Sequence, residues 1–265
     1  MNAFPEERAS AYDREFAYSH VALAQQREVW DYMAPLLNTP SMEVLELNCD
    51  AGMDTVRMAR AGHRVLATDP SSELLRTARG TIRQHGLEDR VVHEVLAFDR
   101  LVERSWNARF HLVFSGAGGM NHLEHGALAS LCDPIARALG SKGRFIAVLQ
   151  PDRCLSETFH FLRKGRWSEA FRRGKHEPGW AGLSGTGVHT WYHRPRTMIE
   201  AFQSRFRVVN LRPIGFFVPP MHLAASLNDR PVALDRAVRW DARIARWRRL
   251  ARYADHYLID LERRA

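Results

Sequence analysis

The spacing of apolar residues along this chain changes after about residue 40 and again after about residue 150. Residues 6–37 carry apolar side chains at imperfect helical intervals up to Asn38-Thr39-Pro40, which predicts a leading helix. Short apolar runs then alternate with amphipathic stretches as far as Leu149. This second part has predicted strands at 43–47, 64–68, 90–96, 110–114 and 144–149, and predicted helices at 53–61, 71–85 and about 125–139.

Strands that alternate with helices over short connections predict a doubly wound, mainly parallel sheet. In such a sheet a ligand binds outside the carboxyl ends of the strands, so we expect the chemistry in the loops that follow them. After Gln150 the pattern becomes looser, with many aromatic and basic residues. The elements expected there are a helical insertion at about 155–173, a Gly-rich run at 177–187, strands at 188–193 and 206–217, a helix at 198–206, and a C-terminal helix that closes the chain.

The segment VLELNCDAGMDTVRMARAGHRVLATDPSSELL, from Val44 to Leu75, is the most informative one. A predicted strand runs into a tight turn before a helix, and Asp69 stands at the tip of the next predicted strand. Such a turn lets backbone approach a ligand, and an acid on the adjacent strand tip can hold both hydroxyls of a ribose. The segment resembles the cofactor half of class I S-adenosylmethionine-dependent methyltransferases, whose first strand ends in an acid followed by a turn of the form ExGxGxG.

The resemblance implies that the carboxylate of Asp69 binds the ribose; the alternative is an acidic cap on the following helix. Asn48 and Asp50 stand where the family usually has glycine. Asn and Asp tolerate positive φ better than other non-glycine residues, so the turn can still form. The cofactor-binding residues expected in this segment are Glu46, Asn48, Cys49, Asp50, Gly52, Asp69 and Pro70.

Asp50 also bears on which cofactor is bound, because a carboxylate would repel the pyrophosphate of NAD or FAD. S-adenosylmethionine carries a sulfonium and an ammonium group, so it suits an acidic loop. The resemblance implies S-adenosylmethionine as the cofactor. The same substitutions would also appear in a methyltransferase fold that has lost cofactor binding, so a catalytically silent binding module remains an alternative.

Further positions extend the resemblance beyond this segment. Tyr12 and Arg27, in the leading helix, match a lid over the methionine end, with Arg27 available for the carboxylate; a surface charge is the alternative for Arg27. After the third strand, Ala97 stands where the family has an adenine-contacting Asp, which leaves the amide of Phe98 as the contact. After the fourth strand, Ser115 matches a residue whose carbonyl contacts the methionine portion.

The fold that the resemblance implies is α/β, with a doubly wound, mainly parallel, seven-stranded Rossmann-like sheet, an N-terminal helical lid and a helical cap insertion. The expected division is a lid over residues 1–40, an S-adenosylmethionine-binding core over 41–150, a cap insertion over 151–187, and the remaining strands with a C-terminal helix over 188–265. We expect these parts to form one structural domain.

Methyl transfer needs the acceptor held in line with the methyl group, and an acceptor atom that is protonated in solution also needs a base within about 3 Å. His122, after the fourth strand, and His193 are the candidate catalytic bases, and a purely structural histidine is the alternative for each. His122 with His125, or His189 with His193, would be a metal-binding pair, but neither pair has a third ligand at recognisable spacing, and the three cysteines are far apart. The sequence therefore predicts no metal site.

The region after the predicted core favours a small, largely apolar or aromatic acceptor, of a natural-product or lipid-like kind. The net charge of +8, concentrated in the C-terminal half, raises a nucleic-acid methyltransferase as an alternative. No recognised nucleic-acid module accompanies it, and no Asn-Pro-Pro-Tyr loop follows Phe114, so nucleic acid is not the expected partner. The prediction of an apolar acceptor rests on the aromatic and apolar residues of this region, which are Phe159, Phe161, Trp167, Phe171, Trp180, Trp191, Tyr192, Phe216, Phe217 and Met221.

No stretch of about 18 uninterrupted apolar residues occurs, so no membrane span is expected. The N-terminus lacks the apolar core of a signal peptide, and we therefore expect a cytoplasmic location. The predicted C-terminal helix combines apolar and basic residues with several aspartates. This composition favours a helix packed on the domain or a contact in a homodimer over one lying on a membrane surface.

Overall fold

A seven-stranded sheet organises the chain in the computed structural model, which describes residues 19–116, 118–175, 179–180, 189–223, 227 and 229–264. The strand order is β3-β2-β1-β4-β5-β9-β8, and β1–β2, β1–β4, β2–β3 and β4–β5 are parallel pairs. The predicted α/β fold with a mainly parallel sheet is confirmed. The strands are β1 (Glu43–Leu47), β2 (Arg64–Asp69), β3 (Val91–Val95), β4 (Phe110–Ser115), β5 (Leu139–Leu149), β6 (Gly179–Trp180), β7 (His189–Thr190), β8 (Phe206–Ile214) and β9 (His256–Arg263).

Helices connect the strands at lengths close to those expected for the first half of the chain. The helices are α1 (His20–Leu37), α2 (Met53–Arg60), α3 (Ser72–Gln84), α4 (Ala127–Ser130), α5 (Cys132–Ala138), α6 (Leu155–Arg163), α7 (Trp167–Ala170), α8 (Pro195–Phe202) and α9 (Pro231–Ile244). Short 3₁₀ helices cover Phe98–Glu103, Gly119–His122, Arg172–Gly174, Met221–Leu223 and Arg248–Arg252.

The chain divides into two compact units. The sheet unit contains Met33–Leu149, Arg196–Asn210 and Ile259–Ala265. The helical unit contains Met1–Tyr32, Gln150–Pro195 and Leu211–Leu258. The sheet unit buries phenylalanines in its core, where the ring of Phe145 lies 5.2 Å from that of Phe202 and 6.3 Å from that of Phe206. In the helical unit, Val21, Val218 and Leu234 form a smaller apolar cluster.

The end of the chain differs from the prediction, because a strand and not a helix closes it. Residues 231–244 do form a helix, but His256–Arg263 is strand β9 next to β5. Because its sequence, HYLIDLER, contains several charged residues, the hydrophobic pattern alone does not identify it as a buried strand. One of them, Asp260, is buried because it forms an ion pair with Arg144 of β5.

Several other element boundaries also differ from the prediction. The predicted strand at 188–193 is reduced to the two-residue β7, which pairs with β6 outside the main sheet. Strand β5 begins at Leu139 instead of 144, so it also includes residues 140–143, between the predicted helix and the predicted strand. The predicted helix at 155–173 is interrupted at Gly165, which has φ 69°. Residues 6–18 of the predicted leading helix lie outside the described residues.

Candidate functional site

The turn between β1 and α2 adopts left-handed backbone at every second residue. Asn48 has φ 57°, Asp50 has φ 50° and Gly52 has φ 82°. The N–H of Cys49 donates to the carbonyl of Thr68 in β2 (2.9 Å), and the N–H of Gly52 donates to the carbonyl of Cys49 (2.9 Å). The prediction that Asn48 and Asp50 can take the place of glycines in this turn is confirmed, since both tolerate the left-handed region.

Gly52 is needed for space as well as for backbone conformation. A Cβ atom at this position would lie 3.0 Å from the Cβ and 3.2 Å from the Cα of Ala78 in α3. Gly52 therefore lets the start of α2 pack directly against α3, because a side chain at this position would meet the backbone of Ala78.

Asp69 stands at the end of β2, where the sequence placed it, and links that strand to the β1 turn. Its Oδ2 accepts a hydrogen bond from the N–H of Asp50 (3.2 Å) and its Oδ1 accepts one from the N–H of Ser71 (2.9 Å). The side-chain cap of α3 is Ser71, whose hydroxyl accepts from the N–H of Leu74 (3.2 Å). Asp69 therefore does not serve as the N-cap residue of α3, the alternative considered from the sequence.

Asp69 is only 2% exposed. Burial raises its pKa, while the N–H groups of Ser71 and Asp50 and the nearby His122 act to lower it, and the pKa stays above its ordinary value. A carboxylate oxygen has about two acceptor sites, so each oxygen keeps one for a further donor. A ribose could use these sites once the surrounding loop opens to it, and the ribose contact stays a prediction.

Four acids surround the turn, and one of them was missed from the sequence. Glu46 is 2% exposed and accepts a hydrogen bond from the hydroxyl of Thr55. Burial raises the pKa of Glu46 well above its ordinary value, and the negative charges of Asp54, Asp50 and Asp69 add to this rise. Asp54, the acid missed from the sequence, lies in the first turn of α2. An acid at this position is favoured by the helix dipole, so it gave no signal of a binding site. The cluster creates a negative potential that favours a cationic ligand over a pyrophosphate.

The loop after β4 lies against the same turn. A Cβ atom on Gly119 would lie 2.7 Å from the Cβ of Asn48, and one on Gly116 would lie 2.6 Å from Oδ2 of Asp54. Ser115 is fully buried, and its hydroxyl has no hydrogen-bond partner among the described residues. The chain runs outward to β2 and β3 after β1 and then returns to β4, so these two loops meet at the topological switch point of the sheet.

Three more predicted residues lie in the same part of the sheet unit. The N–H of Leu96 donates to the carbonyl of Asp69 (3.1 Å), which places Ala97 and Phe98 beside the tip of β2. Phe98 begins a 3₁₀ helix, so its N–H has no partner within that helix. His122 is exposed and lies close enough to Asp69 to lower the pKa of that carboxyl.

The remaining predicted residues are not all described by the structure. Tyr12 lies outside the described residues. Arg27 has a 78% exposed side chain, 3.9 Å from Asp31, as expected for a surface charge. His193 is completely buried, and its N–H donates to the carbonyl of Gln150 (3.1 Å), so an acceptor could reach it only after this region opens. Cofactor contact by Arg27 and catalysis by His193 stay predictions.

Cys49 is buried, and burial followed by the charge of Glu46 raises the pKa of its thiol, so it remains a neutral thiol beside the turn. Pro70, which follows Asp69, is exposed.

Among the residues that the structure describes, no group of three or more His, Cys, Asp or Glu side chains is placed to hold a metal ion. None of the described helices is both long enough and apolar enough to cross a membrane.

Comparison with known proteins agrees with this arrangement. A family model described as a methyltransferase domain matches residues 44–143. A protein of Pyrococcus horikoshii has a similar structure, with TM-score 0.60 and 15% identity over 96% of this chain and 99% of its own. An S-adenosylmethionine-dependent methyltransferase of Mesorhizobium loti matches with TM-score 0.55 and 17% identity over 87% of this chain and 97% of its own.

A geranyl diphosphate C-methyltransferase of Streptomyces coelicolor also matches, with TM-score 0.55 and 12% identity over 88% of this chain and 79% of its own. A search of the curated proteins found no match to this sequence. At these identities the solved structures support the fold, and the family model supports the domain that contains the acidic turn. Together they show that residues 44–143 contain a methyltransferase domain, within a fold that the chain shares with S-adenosylmethionine-dependent methyltransferases.

Proposed function

We propose that this chain transfers a methyl group from S-adenosylmethionine to a small, largely apolar acceptor. The observation that carries the proposal is the acidic turn at the switch point, where Asp50, Asp54 and Asp69 gather around backbone in the left-handed conformation. Negative potential at this place favours a ligand with a sulfonium and an ammonium group. Burial and the repulsion between these close acids both raise the pKa of Glu46. A cationic ligand would relieve this repulsion, which favours a cofactor site over a silent fold.

Each part of the cofactor has a residue of the sheet unit that would hold it. The ribose hydroxyls would bind the open acceptor sites of Asp69, and the adenine would lie at Ala97 with the amide of Phe98 as a donor. The methionine portion would lie along the β1 turn and the carbonyl of Ser115. The buried and unpartnered hydroxyl of Ser115 supports this, since buried polar groups usually have a partner.

The cofactor supplies an activated methyl group, so the protein has to bind, orient and exclude water. His122 is exposed in the loop after β4, near the acidic turn, and would accept the proton of an acceptor hydroxyl or amine. An acceptor that is already nucleophilic would need no base. His122 is the better placed of the two candidate bases in this structure, because His193 is completely buried.

The small acceptor is supported by two observations. Phe159 and Phe217 of the helical unit are 62% and 44% exposed, and exposed aromatic side chains commonly mark binding surfaces. One structural neighbour is by its name a methyltransferase of geranyl diphosphate, a small molecule with an apolar chain. A homodimer and a cytoplasmic location remain predictions from the sequence.

Methyl transfer from labelled S-adenosylmethionine tests this proposal. The purified protein should transfer label to members of a panel of small apolar and amphipathic hydroxyl, amine and alkene compounds, with stoichiometric release of S-adenosylhomocysteine. RNA and duplex DNA, offered at low and at high salt, should remain unlabelled. Label in nucleic acid, with binding that weakens steeply as salt increases, would contradict the proposal in favour of a nucleic-acid methyltransferase.

A further inference from the structure

The helical unit contains a cavity of about 530 Å³ beside helix α6. Phe159, Arg163 and Lys164 line it from α6 and its C-terminal end, and Phe217, Pro219 and Leu223 line it from the segment before α9. Its volume lies within the range of about 300–1,000 Å³ that is typical of sites for small organic ligands. We refer to it as the α6 cavity.

The α6 cavity is apolar on one side. Phe159 and Phe217 expose large parts of their rings, and Pro219 and Leu223 add aliphatic surface. The ring of Phe217 is supported from behind by Phe216, at 5.1 Å, and by Trp240, at 6.1 Å between ring centroids. An apolar wall of this kind suits a hydrocarbon or aromatic body.

The rim of the α6 cavity is basic. The guanidinium of Arg163 lies 5.6 Å from the ring centroid of Phe159, and Lys164 follows directly. Neither cation forms an ion pair with a residue in the described part of the chain. Burial lowers the pKa of His160, and the positive charges of Lys164, Arg166 and Arg163 lower it further, so positive potential dominates here.

The acid of helix α6 is already neutralised. Glu157 points to the buried side of α6 and accepts hydrogen bonds from Arg172 and Arg173. Burial alone would raise the pKa of Glu157, but the two arginines hold it below its ordinary value. The positive charge of Arg163 and Lys164 is therefore available to an anionic ligand.

Buried polar contacts hold both walls of the α6 cavity in place. Arg173 joins Glu157 to Asp255, and the amide of Gln25 donates to Asp255 (3.1 Å) and to the carbonyl of Pro219 (3.2 Å). On the other side, the carboxylate of Asp241 accepts the N–H groups of residues 216, 217 and 218 at 2.9–3.1 Å. A cavity held in this way loses little conformational entropy when a ligand binds.

We propose that the α6 cavity binds a small amphipathic anion. Its hydrocarbon or aromatic body would lie against Phe159, Phe217 and Leu223, and its carboxylate, sulfate or phosphate group would bind Arg163 and Lys164. Binding of this anion does not depend on methyl transfer. We also infer that the methyl acceptor belongs to the same chemical class, and this second inference rests on the proposed function.

Calorimetric titration of the intact protein tests the proposal with dodecanoate, kept below its micelle-forming concentration. We expect a Kd of about 100 μM or lower, and binding at least about tenfold weaker for dodecyltrimethylammonium, which has the same chain and the opposite charge. The double variant Arg163→Gln/Lys164→Gln should lower the affinity for dodecanoate by about tenfold or more. Its control is Arg236→Gln/Arg246→Gln, which removes two other exposed charges of the same unit and should leave the affinity unchanged.

Several outcomes would overturn the proposal: no binding of dodecanoate at about 1 mM, equal binding of the two probes, or the same affinity in both double variants. Vesicles of anionic phospholipid form a separate arm. If the protein bound vesicles but not free dodecanoate, the α6 cavity would be part of a membrane-binding surface and the proposal would be wrong. S-adenosylhomocysteine is titrated into the same preparation. If it binds while dodecanoate does not, only the α6 cavity proposal is contradicted; if dodecanoate binds while it does not, only the proposed function is contradicted.

Discussion

Replacing Arg173 by methionine is expected to lower the free energy of unfolding by about 3–5 kcal/mol. The guanidinium of Arg173 is buried and donates to two carboxylates that are also buried, those of Glu157 and Asp255. It donates as well to the backbone carbonyl of Asp255 (2.9 Å). Methionine fills a similar volume but leaves Glu157 with Arg172 and Asp255 with His256 as close cationic partners, and a buried charge that is less well compensated is costly. Urea denaturation at neutral pH measures the loss.

The pH dependence of this loss separates a charge effect from a packing effect. In the wild type, burial opposes ionisation, but arginines and His256 hold the pKa values of Glu157 and Asp255 below their ordinary values. The stability that these acids contribute is therefore fully present above about pH 5 and disappears only at more acidic pH. Loss of Arg173 removes one of the cations that oppose burial, so the pKa values of both acids rise in the folded variant, and its stability relative to the wild type increases as pH falls.

The destabilisation by Arg173→Met should consequently be smaller at about pH 5.5 than at about pH 7.5. Arg205→Met is the matched control, because Arg205 forms an exposed ion pair with Asp133 (2.7 Å), and exposed pairs contribute little to stability. Equal destabilisation by the two substitutions, or a loss at Arg173 that does not change with pH, would show that the buried network does not stabilise the helical unit through charge.

Substituting Gly119 with alanine is expected to weaken binding of S-adenosylhomocysteine by about 100-fold. The new Cβ atom would lie 2.7 Å from the Cβ and 3.1 Å from the Cγ of Asn48, which is closer than these atoms can approach. The Cβ of Asn48 is fixed to the backbone, so the β1 turn itself has to move. A displacement of about 1 Å in a positioning loop can cost two orders of magnitude in function. Calorimetric titration of the variant measures the change.

Gly126→Ala is the control for this substitution. Gly126 lies just after the same loop, has no positive φ, and a Cβ atom there would meet nothing within 4 Å. We expect its affinity for S-adenosylhomocysteine to equal that of the wild type. If Gly119→Ala also bound normally while remaining folded, contact between the two loops would not be needed for the cofactor site.

The turn and the strand tip could be predicted because their requirements are local. A left-handed backbone needs Gly, Asn or Asp, and an acid at the end of a buried strand is easily recognised in the sequence. Asn48, Asp50 and Asp69 therefore stand where the pattern placed them. Asp54 was missed because an acid in the first turn of a helix has an adequate explanation in the helix dipole.

Features that depend on contacts between distant parts of the sequence could not be predicted in this way. The sequence of strand β9 looks too polar for a buried strand. Its Asp260 can be buried because it pairs with Arg144, which lies 116 residues earlier in the chain. The aromatic residues after residue 150 suggested an apolar acceptor pocket, but their pattern in the sequence does not show which of them are exposed. Tyr192 is buried with Arg173 over its ring, whereas Phe159 is open to solvent beside the α6 cavity.

The central claim is that the acidic turn and Asp69 bind S-adenosylmethionine, and calorimetric titration with S-adenosylhomocysteine tests it most directly. We predict a Kd in the micromolar range for the wild type, an affinity about 100-fold lower for Asp69→Ala, and an unchanged affinity for Asp89→Ala, which removes an exposed acid beside Arg90. The absence of binding by the wild type at about 1 mM ligand, or equal affinities for the wild type and Asp69→Ala, would contradict the claim.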